Sequence, residues 1–374
     1  MMRWSLVSAQ LVAVLALGTR PGSGIEPIGF CPCSSLELCR HLPERYQYRV
    51  EAVVFDNTGP EWKHYDWSKI TTIVVTHGHP SELLCHAHAN GVRVVWKVNV
   101  ERNILGDVSQ RNEWINQNLI FTKRQFLDGL HLELSEHASN VQGLHKLVVL
   151  VKNVFRKKLS GSQVSLSIPW TPDCTGGECY DYTSLAQSCD FLYVRAYDMQ
   201  REMRDDCFAK ANAPYDETLS GLSYYIKLGV DPKKLVLGLP WFGYDYSCDH
   251  FYEPGRCKLK VFPFESVSCS SPVVEQVEYK QIMQMLPRSI TGRYWDDNYK
   301  SPYFVYKDKD TYHEVWYDDP ESLSLKSSIV KKLKLGGIGA WFGNSLNYSA
   351  NPTAAMQTED MWNALCPIRL KWRT

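Results

Sequence analysis

Eight short apolar runs, separated by stretches with helical periodicity, restrict this chain to few architectures. The strand-like runs are Tyr48–Phe55, Ile70–Val75, Val92–Val98, Gly129–Leu134, Val164–Ile168, Phe191–Tyr197, Leu235–Pro240 and Gly337–Trp341. Helical patterns over Ser81–Ala89, Asn112–Arg124, Leu144–Lys158, Leu219–Leu228 and Leu323–Leu335 lie between them. Such alternation builds a parallel sheet, and eight units close an α/β fold of the (β/α)8 TIM barrel type. The chain has 374 residues, more than the roughly 250 typical of one barrel. The surplus falls between strands seven and eight, where residues about 246–320, rich in Cys, Pro, Tyr and Asp, read as an insertion at the barrel mouth. No low-complexity tract or longer repeat interrupts the pattern.

The fourth run, within Phe126-Leu127-Asp128-Gly129-Leu130-His131-Leu132-Glu133-Leu134-Ser135-Glu136, carries the most chemistry. Alternate side chains of a strand share a face, so Leu130, Leu132 and Leu134 point one way and His131, Glu133 and Ser135 the other. An apolar face under helices and a polar face toward the lumen suit a barrel strand whose C-terminal end holds the site.

This strand resembles the Asp-Gly-x-Asp-x-Asp-x-Glu segment of glycoside hydrolase family 18. Aligned on Asp128-Gly129, the three inward acidic positions fall on His131, Glu133 and Ser135. Arg195-Ala196-Tyr197-Asp198 is similar to the family's Met-x-Tyr-Asp segment on strand six. Leu237 to Tyr244 looks like its Gly-x-Pro-x-Tyr-Gly region, and Gly337 to Trp341 like its last strand. Tyr65 to Ile70, Pro240 to Tyr246 and Val315 to Asp318 resemble the di-N-acetylchitobiase branch in particular. Family 18 is an exception to the two-carboxylate scheme of glycoside hydrolysis. The resemblance implies that the substrate's N-acetyl carbonyl attacks the anomeric carbon while one glutamate protonates the leaving oxygen. Implied roles are Tyr197 near that carbonyl, Glu133 as a one-methylene-longer orienting carboxylate, and Asp128 as a motif residue. Asp198, Trp241 and Trp341 would bind substrate, Trp341 as the floor under the sugar. Trp241, Trp316 and Tyr244 read equally as groove or core, and Asp128 equally as a backbone support.

The acid position itself is Ser135. A seryl hydroxyl stays protonated far above neutral pH, and a missing general acid costs about 10²–10⁴ in rate. Glu136 is adjacent but faces the opposite way, and a one-residue slip would turn three leucines into the polar mouth. The implied reading is a chitobiase-like protein that binds chitobiose-containing N-glycan fragments and hydrolyses them poorly. An active di-N-acetylchitobiase and a secreted lectin or scaffold stand as alternatives. Arg195 shares the inward face of Tyr197, and an unpaired guanidinium there would be costly. Alternate strands supply the same interior layer, so a Glu133–Arg195 ion pair within about 4 Å is expected.

Residues 1–24 read as a signal peptide, with Arg3 ahead of the apolar stretch Leu6–Leu17 and small residues at Gly22-Ser23-Gly24. The barrel would occupy 25–374. That apolar stretch is too short to span a bilayer, so no membrane association is expected. Twelve cysteines fit an oxidising route, lysosomal or else extracellular. Cys248 with Cys257, Cys174 with Cys179, and Cys189 with Cys207 bracket short loops and are the expected local pairs. Asn347-Tyr348-Ser349 is a glycosylation sequon. Equal counts of 41 basic and 41 acidic residues, with Arg156-Lys157-Lys158 as the one compact basic cluster, argue against a nucleic-acid partner. The partner expected is a GlcNAc-containing oligosaccharide, bound by a monomer with no cofactor and no metal. A metal-dependent hydrolase is the competing class, resting on Thr76-His77-Gly78-His79, Cys85-His86-Ala87-His88 and His131. Against it, His86 and His88 are two apart on a helix and cannot face one ion.

Overall fold

A computed structural model describes residues 30–42, 50–57, 59–78, 81–134, 140–173, 180–201, 207–252, 256–260 and 274–365. Eight parallel strands close into the expected barrel: β1 (Glu51–Asp56), β2 (Thr72–Val75), β3 (Arg93–Val100), β4 (Gly129–Leu134), β5 (Gln163–Ile168), β6 (Phe191–Arg195), β7 (Leu235–Pro240) and β14 (Gly337–Trp341). β14 hydrogen-bonds to both β1 and β7, which completes the closure. Helices α1 (Ser81–Ala89), α2 (Arg102–Gly106), α3 (Val108–Arg124), α4 (Val141–Lys158), α5 (Tyr182–Ser188) and α6 (Tyr215–Lys227) follow in the crossovers. α4 shows why they lie where they do: Leu144, Leu147, Val148, Val151 and Phe155 form one buried stripe, while Arg156, Lys157 and Lys158 form its exposed last turn. That places the basic cluster at a solvated helix end.

Strand alternation divides the apolar side chains into two cores. Val54, Ile73, Val94, Leu130, Leu132, Leu166, Leu192, Leu237 and Ala340 face the helices. Val53, Phe55, Val74, Val95, Tyr193 and Val236 fill the lumen. Gly238 and Gly339 make room for Tyr193, since a Cβ at either would come within 2.4 Å or 2.6 Å of its ring.

Between β7 and β14 the chain builds an antiparallel sheet from β8 (Phe242–Tyr252), β9 (Arg256–Leu259), β10 (Val274–Glu278), β11 (Tyr294–Asp296), β12 (Ser301–Asp308) and β13 (Thr311–Trp316). Its order is β10-β8-β13-β12-β11, with β9 paired to β8. α7 (Tyr279–Met285) follows β10, and α8 (Pro320–Leu333) leads back to the barrel, which α9 (Pro352–Leu365) then packs against. On β8 the alternation puts Phe242, Tyr244, Tyr246 and Cys248 in the same core as the lumen residues, together with Trp316 of β13. The sheet therefore packs over the barrel mouth through an aromatic face.

The base of the barrel is closed by the segment before β1. Disulfides Cys31–Cys39 and Cys33–Cys85 fasten residues 31–39 to each other and to α1. His88 of α1 faces the Leu38 carbonyl with Nδ1 at 2.8 Å and Asp128 with Nε2 at 2.9 Å. The Asp128 carboxylate also accepts from the Leu42 and Val94 backbone N–H groups, at 2.9 and 2.8 Å.

Of the expected cysteine pairs, Cys248–Cys257 is present and clamps the β8–β9 hairpin. The Cys189–Cys207 pairing is overturned: Cys189 is a buried free thiol and Cys207 is bonded elsewhere. Cys189 precedes β6 at the base, whereas Cys207 follows it at the mouth. A five-residue strand at roughly 3.3 Å per residue keeps them far beyond the roughly 7 Å Cα limit of a disulfide. The Cys174–Cys179 pair, the signal peptide and Cys366 lie outside the described residues.

Candidate active site at the barrel mouth

β4 turns His131 and Glu133 inward, as its alternation requires. His131 sits deepest, with Nδ1 2.8 Å from the Ser165 hydroxyl and Nε2 2.8 Å from that of Ser167. Its ring packs edge-on against Phe55 and Tyr193, at 5.0 and 5.9 Å. Burial, with Lys97 and Arg195 nearby, pushes its pKa down to about 3. The imidazole is neutral, donating from one nitrogen and accepting at the other, and the two hydroxyls orient to match.

Glu133 lies one layer nearer the mouth, between two cations. Lys97 of β3 approaches its Oε2 at 3.1 Å, and Arg195 of β6 its Oε1 at 3.5 Å. The expected Glu133–Arg195 pair is therefore present, but the arginine is more exposed than a lumen residue, with 39% of its side-chain surface accessible. Lys97 was not anticipated. Its signal was legible, because Val95, Lys97 and Asn99 share the inward parity of β3, and a lysine there needs a partner.

The aromatic part comes from β6, β14 and the insertion. Tyr197, two residues past the end of β6, tilts against Trp341 at 6.2 Å and meets Phe242 edge-on at 5.6 Å. Burial raises its pKa well above the ordinary 10.0, and its hydroxyl makes no hydrogen bond of good geometry. Trp341 leans on Phe55 at 4.7 Å and lies 5.8 Å from the Lys97 ammonium. Asp198 follows in the left-handed region, at φ 63°, which Asp tolerates better than most residues. Its N–H donates to Asn212 Oδ1 at 2.8 Å, and its carboxylate accepts the Tyr244 hydroxyl at 2.5 Å.

Two expected site residues are elsewhere. Trp241 is completely buried and packs edge-on against Trp362 of α9 at 4.9 Å. It continues the outward parity of Leu235, Leu237 and Leu239, so it belongs to the outer core and cannot line a sugar groove. Asp128 holds the barrel base together, at the opposite end from the mouth. Ser135 and Glu136 lie outside the described residues. Trp316 and Tyr244 are buried. Trp316 stacks on Tyr303 at 4.5 Å within the aromatic face of the insertion.

Among the described residues, those of the metal alternative do not converge. His77 follows β2 toward the mouth and sits 2.9 Å from Asn57 Oδ1. His86 packs against Trp67 at 5.0 Å, and His88 and Cys85 are engaged at the base. His79 lies outside the described residues.

Sequence reasoning also passed over Glu314, which shares the barrel-facing side of β13 with Trp316 and accepts that indole N–H at 2.6 Å. Burial lifts its carboxyl from 4.5 to about 8. A raised acid pKa means that the folded state holds a proton the unfolded chain has lost, so this contribution to stability falls as pH climbs between those values. Glu314→Gln should remove the fall, with a gain on the order of 1–3 kcal/mol near pH 8 and little effect near pH 5. Urea unfolding at both pH values checks it, and parallel behaviour of variant and wild type would contradict it.

The chain's similarities follow this geometry. The family model for glycosyl hydrolases family 18 matches residues 85–343. Di-N-acetylchitobiase of Homo sapiens is 40% identical over 379 residues, covering 99% of this chain and 98% of the relative. Di-N-acetylchitobiase of Mus musculus is 40% identical over 344 residues, covering 91% and 93%. Among solved structures, human YKL-39, a pseudo-chitinase with retained chitooligosaccharide binding properties, superposes with a TM-score of 0.69 at 14% identity, over 84% of this chain and 98% of its own. A chitinase from Chromobacterium violaceum gives 0.66 at 15%, over 84% and 98%. The structural likenesses speak for the barrel alone. The family model and the near full-length identity, over a strand pattern that carries Glu133, Tyr197 and Trp341 to one mouth, make this chain a member of glycosyl hydrolase family 18 of the chitobiase type.

Proposed function

We propose that this protein binds GlcNAc-containing oligosaccharides, chitobiose-type fragments of N-linked glycans, at the barrel mouth, and hydrolyses them weakly or not at all. The observation that carries the reading is the pairing of a sugar-compatible aromatic corner with a carboxylate held by two cations. Trp341 offers the apolar face of a pyranose a floor. Tyr197 stands beside it with a hydroxyl that makes no hydrogen bond of good geometry and is suited to an acetamido carbonyl. Glu133 is tied to Lys97 and Arg195 rather than aimed at a leaving oxygen, and Ser135 occupies the acid position. The binding half of the reading is supported by the chitobiase relatives and by YKL-39, a pseudo-chitinase with retained chitooligosaccharide binding properties.

Calorimetric titration with chitobiose should show binding that Trp341→Ala weakens roughly tenfold. Turnover of a chitobiose substrate, followed from acidic to neutral pH, should be at or near background. Absence of binding would sink the reading. Turnover at the level of an ordinary hydrolase of the family would establish the active di-N-acetylchitobiase instead.

We also assign the chain to the secretory route, with the lysosome as destination. The described disulfides support this, because such bonds persist in oxidising compartments. Among the described residues no helix is long and apolar enough to cross a membrane. Recovery of the tagged full chain in the cytosolic fraction with reduced cysteines would refute the assignment.

A further inference from the structure

Among the described residues of the mouth, two cations share one glutamate. Glu133 meets Lys97 at 3.1 Å and Arg195 at 3.5 Å, one carboxylate between two cations. The Arg195 contact is longer than the roughly 2.7–2.9 Å of a charge-assisted hydrogen bond. It also engages one nitrogen of a group that presents five N–H donors, on a side chain that keeps 39% of its surface exposed. Among the described residues no other carboxylate meets either cation. His131 is neutral between two serines, and the Asp198 carboxylate is turned to the Tyr244 hydroxyl. The cations are also placed where a sugar would lie. The Lys97 ammonium stands 5.8 Å from the Trp341 ring, so a pyranose stacked on that ring has a cation at its rim. The buried Tyr197 hydroxyl, without a hydrogen-bond partner of good geometry, adds a polar group on the side of Arg195.

We propose that this mouth selects an anionic amino sugar, an N-acetylhexosamine bearing a sulfate or phosphate ester, with the charged group received by the exposed Arg195 guanidinium and the Lys97 ammonium, on the side away from Glu133. The inference rests on the reading of the mouth as a sugar site. A neutral sugar would leave the guanidinium donors in water, whereas a tetrahedral oxyanion supplies several acceptors to two donor groups at once.

Calorimetric titration of the wild-type protein with N-acetylglucosamine, its 6-sulfate and its 6-phosphate, and with chitobiose, tests this. At low salt the better of the two esters should bind at least about tenfold more tightly than the neutral monosaccharide, and the two ester arms identify which anion is preferred. Raising ionic strength from about 0.05 to about 0.5 M should erase most of that preference while moving the neutral ligands little. Arg195→Met should bring the ester and neutral affinities together. If that variant does not fold, Lys97→Gln and the salt dependence of the wild type provide the same reading. Equal affinity for ester and neutral sugar, or a preference that salt leaves untouched, overturns the anionic selectivity while chitobiose binding keeps the sugar site. If no ligand binds, both fall.

Discussion

Ser135→Glu should raise turnover of a chitobiose substrate by up to about 10²–10⁴ over the wild type, the usual worth of a positioned general acid. The period-two alternation of the sequence is the basis for expecting the new carboxyl on the face of Glu133. The surroundings set a limit on the gain. Lys97 and Arg195 favour ionised carboxylates, and an acid held ionised cannot donate its proton. The double variant Ser135→Glu with Arg195→Met should therefore exceed the single one, with its pH–rate profile moved toward higher pH. Steady-state kinetics on the three proteins decides the matter. If neither variant surpasses the wild type, the mouth has lost more than its acid. If the wild type is already fully active and Glu136→Gln abolishes that activity, the register of β4 past Leu134 is not the one its alternation implies.

Asp128→Ala should lower stability by about 3–5 kcal/mol, the cost of leaving a buried charge without its partner. The carboxylate binds the His88 ring and two backbone N–H groups, so the substitution strands three donors at the barrel base. Burial disfavours the charged forms of both residues, but each holds the other. Asp128 stays below its ordinary 3.8 through His88 and the Leu42 and Val94 N–H groups, and His88 rises above 6.5 through Asp128 and the Leu38 carbonyl. The signs then fix a window. The depressed acid contributes above its unfolded pKa of about 3.9, losing its contribution as pH falls through the folded value, and the raised histidine contributes below about 6.5, losing its share as pH rises through the folded value. The clasp is at full strength between about pH 4 and pH 6.5, the range of an acidic compartment. Chemical unfolding across pH should show the wild type's advantage over Asp128→Ala shrinking on both sides of that window. A loss under about 1 kcal/mol would mean that the base is held by its disulfides alone.

The barrel was legible because period-two alternation and helical spacing are local signals, and a strand covered on one face by helices cannot hide them. The same alternation assigned His131 and Glu133 inward and led to the Glu133–Arg195 pair. It also places Trp241 outward with Leu235, Leu237 and Leu239, whereas the motif likeness around Pro240 leaves groove and core equally open. Asp128 read as a motif residue, and only the meeting of α1, the segment before β1 and the start of β4 reveals its work, a meeting of residues up to 86 apart in sequence. Cysteine pairing failed for a similar reason. Short spacing gave Cys248–Cys257, whereas Cys33 and Cys85 are 52 residues apart and joined only by the return of α1 to the base. Glu314 carries no sequence signal, since its neutrality arises from the aromatic face that encloses it.

That aromatic face also settles whether the insertion is an accessory. Phe242, Tyr244, Tyr246 and Trp316 belong to one uninterrupted core with Phe55 and Tyr193 of the lumen, and β8 starts a single residue after β7 ends. Excision of the sheet would uncover the top of the lumen itself, and grafting it onto another barrel would demand a matching set of lumen side chains. Barrel and insertion are thus obliged to change together in evolution: specificity at this mouth cannot be altered by swapping a detachable module, and drift in the sheet is felt in the middle of the barrel.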